Sequence, residues 1–189
     1  MGNLIQLSFH KVLQLKDLHQ ITVVGLGLLG GSITLRVASS MAPVKAAGFT
    51  HRANTREKAR EAGIADEIFD EVAESVAEAD IVILASPICT FEKLFEQMAD
   101  ALPKGCIVTD VGSTKTIVHK WAAEKLPERV HYVGSHPIAG SEQRGLEFAR
   151  DDLLERAVCI VTTAEDTDKA SVKVVEDFWT KLGCIVQVM

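Results

Sequence analysis

Ile21-Thr22-Val23-Val24-Gly25-Leu26-Gly27-Leu28-Leu29-Gly30-Gly31-Ser32 is the stretch that decides the fold. Four strand-favouring residues run directly into a glycine-spaced turn, and helix-forming sequence follows from Leu28. Each glycine of Gly25-x-Gly27-x-x-Gly30 has a mechanical reason. Gly25 permits a tight turn out of the strand, Gly27 leaves the backbone open to a phosphate, and Gly30 lets the helix pack closely on the sheet. The helix start then turns free N–H groups and its positive dipole end toward that phosphate. Ordinary turns can carry the same glycines; the setting between strand and helix selects the dinucleotide reading.

Outward from this loop, residues 44–49, 81–85, 106–109, 130–133, 158–162 and 184–188 read as further strands, most of them apolar throughout. Such runs suit strands covered on both faces. Helical patterns fill 28–39, 55–62, 72–77, 91–101, 114–125 and 168–182. In the last, Val172, Val175 and Trp179 make one apolar stripe. This alternation predicts an α/β chain with a doubly wound, mainly parallel sheet, the Rossmann NAD(P)-binding fold, over residues 21–189. Residues 1–20 lack periodicity and are expected to form an N-terminal extension.

The 189 residues are 47% hydrophobic and 24% charged, enough to bury a full core. A net charge of −6 argues against a nucleic-acid or anionic-membrane partner. No run reaches the roughly 18 apolar residues of a membrane helix, and the N-terminus lacks the pattern of a secretory signal. Cys89, Cys106, Cys159 and Cys184 lie far apart with no ligand spacing, which predicts a reduced, cytoplasmic protein without a metal site.

The second strand ends Ala47-Gly48-Phe49-Thr50-His51-Arg52. An NAD site usually carries an acid here, about 20 residues beyond the glycines, for the ribose 2′-hydroxyl. Thr50 stands in its place, with His51 and Arg52 behind it. A hydroxyl plus a guanidinium suits a 2′-phosphate, so NADP is favoured over NAD. The alternative is that all three are solvated loop residues.

Two stretches carry the chemistry: Val108-Thr-Asp110-Val-Gly112-Ser113-Thr-Lys115, and Tyr132-Val-Gly134-Ser135-His136-Pro137-Ile-Ala-Gly140-Ser141-Glu142. Both follow strand ends, where open α/β sheets gather their ligands. Pro137 biases His136 toward an extended backbone, and a fixed imidazole beside a nicotinamide suits removal of a hydroxyl proton. Ser113 has a second reading as an N-cap of the next helix. Ser86-Pro87-Ile88 follows a third strand end and is expected to line the nicotinamide side.

With GLGLLGGS at residues 25–32, ASP at 85–87, DVGSTK at 110–115 and SHPIAGSE at 135–142, the chain resembles the prephenate/arogenate dehydrogenase family of tyrosine biosynthesis. The resemblance implies oxidative decarboxylation of prephenate or arogenate with hydride transfer to NAD(P). It implies His136 as the catalytic base, Ser113 beside the same hydroxyl, and Ser141 and Glu142 near the substrate carboxylate. Gly25, Leu26, Gly27, Leu28, Leu29, Gly30, Thr50, His51, Arg52, Ser86, Pro87, Ile88 and Lys115 are the cofactor-binding set, although Lys115 and Asp110 could equally order their loop. Members of the family continue into a helical dimerisation domain, which is absent here. The apolar strand before Met189 therefore reads as the end of a fragment of a homodimeric enzyme. Other readings stay open: a nucleotide-binding module without turnover, or a dehydrogenase of the β-hydroxy-acid or imine class.

Overall fold

The structure, a computed structural model, describes residues 13–189. The extension expected over residues 1–20 lies outside the described residues as far as residue 12. From there the chain joins the fold: Leu18 is buried in the core, and Gln20 already belongs to the first strand.

Strands and helices alternate as β1 (Gln20–Val24), α1 (Leu28–Ser40), β2 (Lys45–Phe49), α2 (Ala53–Glu61), β3 (Glu67–Ile68), α3 (Val72–Val76), β4 (Ile81–Leu84), α4 (Phe91–Met98), β5 (Ile107–Asp110), α5 (Thr116–Lys125) and β6 (His131–Tyr132). The six strands form one wholly parallel sheet in the order β3-β2-β1-β4-β5-β6. The order reverses at β1, which places the carboxyl ends of β1 and β4 at a crevice where ligands of such sheets bind.

The sheet is buried on both faces because alternate residues feed two cores. Ile21, Val23, Ile81 and Ile83 point to one side, against Ile33 and Val37 of α1 and Trp179 further on. Val24, Val82, Leu84 and Val108 point to the other, against Val72 and Val76 of α3, Phe91 and Phe95 of α4, and Val118 of α5. Continuous apolar strands are what two covered faces require.

The chain then leaves this sheet. β7 (Gly134–Pro137), β8 (Val158–Thr162) and β9 (Ile185–Val188) form a second, three-stranded sheet, with α6 (Lys169–Lys181) between the last two. β7 and β8 are antiparallel, β8 and β9 parallel. So the two last predicted strands exist but do not extend the parallel sheet, and His136 lies within a strand rather than on a loop. At the junction, a Cβ on Gly134 would come within 2.5 Å of Thr162 Oγ1 and 3.0 Å of His119 Nε2. Only a glycine lets β7 pass that close to β8 and α5.

Candidate active site

β1 ends at Val24, and Gly25 takes φ +111°, a conformation that side chains resist. Its N–H donates to the Phe49 carbonyl at 2.7 Å. A Cβ on Gly30 would sit 1.8 Å from the Gly25 carbonyl oxygen, so turn and helix start are in direct backbone contact. Gly27 is the N-cap of α1 and brings no capping side chain; a Cβ there would meet nothing within 4 Å. The first N–H groups of a helix have no partner within it. Open space in front of them is a cradle for a phosphate, and the loop fits a dinucleotide.

Beside this turn is a cleft of about 490 Å³ lined by Gly25, Thr50, His51, Arg56, Ser86 and Lys93, among others. Thr50 is buried, while His51 and Arg52 are exposed. Arg52 lies just outside the cleft lining, as the N-cap residue of α2. Arg56, one turn on, was not singled out from sequence. Its Nη1 donates to the Thr50 carbonyl at 2.7 Å, its Nε pairs with Asp70 at 2.8 Å, and its guanidinium carbon stands 5.9 Å from the Phe49 ring centroid. Arg60 reaches the same Asp70 oxygen at 2.9 Å, and hydrogen bonds from Arg60 and Arg56 hold that carboxyl below its usual range. The i, i+4 spacing of Arg52 and Arg56 is the signal that would have found it.

Across the crevice, Ser86 Oγ and Thr90 Oγ1 share a hydrogen bond of 2.8 Å at the start of a short 3-10 turn, Ile88–Thr90. A Cβ on Gly112 would lie 2.9 Å from the Ile88 side chain, so the segment of Pro87 and Ile88 meets the loop that follows β5. Asp110 at the end of β5 is wholly buried. Its Oδ2 accepts from the Gly112 N–H at 2.8 Å and from Lys115 Nζ at 2.5 Å; its Oδ1 accepts from the Tyr132 hydroxyl at 2.7 Å. Lys115 Nζ also donates to the Ser135 carbonyl at 2.6 Å. Burial lowers the pKa of that ammonium, with Asp110 opposing, and the net direction is down. Burial likewise pushes the Tyr132 phenol up, helped by Asp110. Lys115 thus faces an internal carboxylate, the loop-ordering role its spacing also allowed.

His136 is half-buried, and its Nδ1 lies 3.3 Å from the Val111 carbonyl oxygen. A carbonyl can only accept, so a hydrogen bond at this contact requires the proton on Nδ1, the arrangement that leaves Nε2 free to accept. Ser113 is exposed, two residues beyond that carbonyl. It does not cap α5: the N-cap is Lys115, without a side-chain bond. Ser141 and Glu142 are exposed beyond β7, where the contact is local, the Gln143 N–H donating to Ser141 Oγ at 3.2 Å. No group of three or more potential metal ligands occurs among the described residues, and no helix among them is long and apolar enough to cross a membrane.

A parallel sheet with a glycine cradle at its reversal point and polar side chains gathered at the strand ends defines a dinucleotide-binding domain. Residues 34–188 match the family model described as prephenate dehydrogenase, nucleotide-binding domain, and the chain belongs to that family. The prephenate dehydrogenase of Bacillus subtilis is 35% identical over 161 residues, 85% of this chain and 43% of that protein. Prephenate dehydrogenase of Aquifex aeolicus, crystallised with hydroxyphenyl propionate and NAD+, superposes with a TM-score of 0.85 at 32% identity, over 92% of this chain and 60% of the other. Synechocystis arogenate dehydrogenase gives 0.82 at 28% identity, over 90% and 59%. The chain thus spans about half the length of the curated relatives it matches.

Proposed function

We propose that this chain is the cofactor-binding part of a prephenate or arogenate dehydrogenase that uses NADP in preference to NAD. The observation that carries the reading is His136, its Nδ1 3.3 Å from the Val111 carbonyl that leads into the Ser113 loop, in a chain whose first strand ends in a glycine cradle.

A dinucleotide with its phosphates in the cradle would supply the hydride acceptor through its nicotinamide. The rest falls to the protein. His136 Nε2 takes the proton of the hydroxyl on the carbon being oxidised. Ser113 offers a hydrogen bond to the same hydroxyl and thereby orients it. Ser141 and Glu142 stand toward the substrate's carboxylate end, where Ser141 can donate a hydrogen bond. Loss of the ring carboxylate needs little further help, because the product ring becomes aromatic.

Thr50 at the strand tip, without an acid, supports NADP; Arg52 at its margin would meet the 2′-phosphate. The same reading makes the working enzyme a cytoplasmic homodimer acting on a small molecule, with no nucleic-acid or membrane partner. Its test is cofactor reduction by the full-length protein on addition of prephenate and, separately, arogenate, each with NADP and with NAD. Reduction with one substrate, faster with NADP, is expected. Silence in all four combinations would remove the reading.

A further inference from the structure

A base with two ring nitrogens works only if the correct one is free, and the structure contains a device that selects it. The Val111 carbonyl follows β5, whereas His136 lies on β7, and these strands belong to different sheets. No strand ladder ties one to the other. What crosses the seam is a buried polar cluster centred on Asp110.

Asp110 Oδ1 accepts from the Tyr132 hydroxyl at 2.7 Å and from the Ser135 N–H at 3.4 Å. Lys115 Nζ bridges Asp110 Oδ2 and the Ser135 carbonyl, at 2.5 and 2.6 Å. The Ser135 hydroxyl donates to the Asp110 carbonyl at 2.6 Å, with Thr109 Oγ1 a further 2.8 Å away. Ser135 is thus bound to the end of β5 directly at its N–H and its hydroxyl, and at its carbonyl through Lys115. Its neighbours are His136 on one side and, opposite it, Val111 next to Asp110. Fixing 110 against 135 fixes 111 against 136.

We propose that Asp110, Lys115 and Tyr132 are a positioning unit that holds the Val111 carbonyl against His136 Nδ1 and thereby keeps Nε2 as the unprotonated nitrogen. This rests on the reading of His136 as the base. The charge pair suits such a unit, because a fully buried carboxylate is costly without its ammonium. The cluster therefore resists rearrangement and keeps one geometry. A cluster that only added stability would leave the imidazole indifferent to its loss.

The test is nitrogen NMR of the histidine-labelled chain at alkaline pH, where imidazoles are neutral, with His136 assigned by His136→Gln. Long-range correlations report which ring nitrogen carries the proton. In the unaltered chain, Nδ1 is expected to be protonated and Nε2 bare. Tyr132→Phe keeps the ring among Phe95 and His119 but removes one donor from Asp110. It should lower the Nδ1–H to Nε2–H ratio by roughly fivefold, because the bond it loosens, from His136 Nδ1–H to the Val111 carbonyl, is a neutral one worth about 1 kcal/mol. Lys115→Met should lower it further. In the full-length Tyr132→Phe enzyme kcat should fall in step, with KM for the cofactor unchanged. Should Lys115→Met fail to fold, Tyr132→Phe decides alone. A protonated Nε2 in the unaltered chain, or a folded Tyr132→Phe with its ratio unchanged, overturns the proposal. The NMR needs no substrate, so a chain with the expected tautomers but no dehydrogenase activity would defeat only the functional reading.

Discussion

At the residue scale, the decisive contact of the site is made by a backbone atom. Val111 is an apolar residue without a motif of its own, yet its carbonyl is the group that faces His136 Nδ1. The motifs around Gly25, Ser113 and His136 could be read directly, because glycine spacing and a histidine before proline carry local mechanical meaning. The Asp110, Lys115, Tyr132 and Ser135 cluster could not, since its contacts to Tyr132 and Ser135 join residues 20–25 positions apart, and those to Ser135 cross from one sheet to the other. Replacing His136 with Asn in the full-length enzyme should leave cofactor affinity intact and cut kcat by about 10²–10⁴, the contribution of a positioned base. A variant that kept near-parental kcat would point to another base. At the strand tip, Arg52→Ala should weaken NADP binding roughly tenfold to a hundredfold, the worth of a hydrogen bond to a charged group, and spare NAD. Arg56→Ala should weaken both cofactors, because Arg56 braces Thr50 and Asp70. Thr50→Asp should turn preference toward NAD by repelling the phosphate. Calorimetric titration with each cofactor separates these outcomes.

At the scale of elements, five of the six parallel strands were legible from their apolar runs; the two-residue β3, Glu67–Ile68, was not, and neither was β7. Gly134-Ser135-His136-Pro137 contains two residues that strands disfavour and two polar ones. It forms a strand because it lies at the edge of its sheet, where proline's missing N–H is tolerated. β8 hid a different fact. Its run Val158-Cys159-Ile160-Val161 looks like a fully covered strand, but Cys159 and Val161 are buried while Val158 and Ile160 are partly exposed. That one-sided pattern fits the small mixed sheet rather than the large parallel one. α6 matches its predicted span closely, and its start is well defined. Asp168 is its N-cap, with Oδ2 accepting from the Ser171 N–H at 2.7 Å and the Ser171 hydroxyl at 2.8 Å. Burial raises that carboxyl's pKa, the Ser171 hydrogen bonds lower it more, and the net direction is down. Asp168→Ala should therefore cost about 1 kcal/mol in urea unfolding at neutral pH. A depressed carboxyl stabilises above its ordinary value and loses that contribution as pH falls through it. The gap between variant and parent should accordingly close as pH falls below 3.8. A gap that stayed constant with pH would mean that the cap owes nothing to its charge.

At the scale of the whole molecule, two apolar cores lie on opposite faces of one sheet, and the glycine loop sits where β1 and its neighbours end between them. A ligand that seats on that loop meets groups carried by β1, β2 and β4 together, so its binding energy should be felt by the entire fold. The cradle is preformed: Gly25 is already in its turn and Gly30 already against it, so little ordering is required on binding. A ligand that binds only the folded state raises stability by about 2.7 kcal/mol at a hundred times its Kd. For a domain of 150–250 residues each kcal/mol raises Tm by about 2–4 °C, so saturating cofactor should raise it by about 5–10 °C. NADP should give the larger shift than NAD at equal concentration, and Arg52→Ala should bring the two together by lowering the NADP shift alone. Gly27→Val is the control for the cradle itself. The protein leaves room for that side chain, since nothing lies within 4 Å of a Cβ there. Its melting temperature without ligand should therefore stay close to the parent's, while the shift with either cofactor disappears. If the variant kept the full shift, the dinucleotide would have to bind elsewhere than the glycine loop, and the site built around it would be wrong.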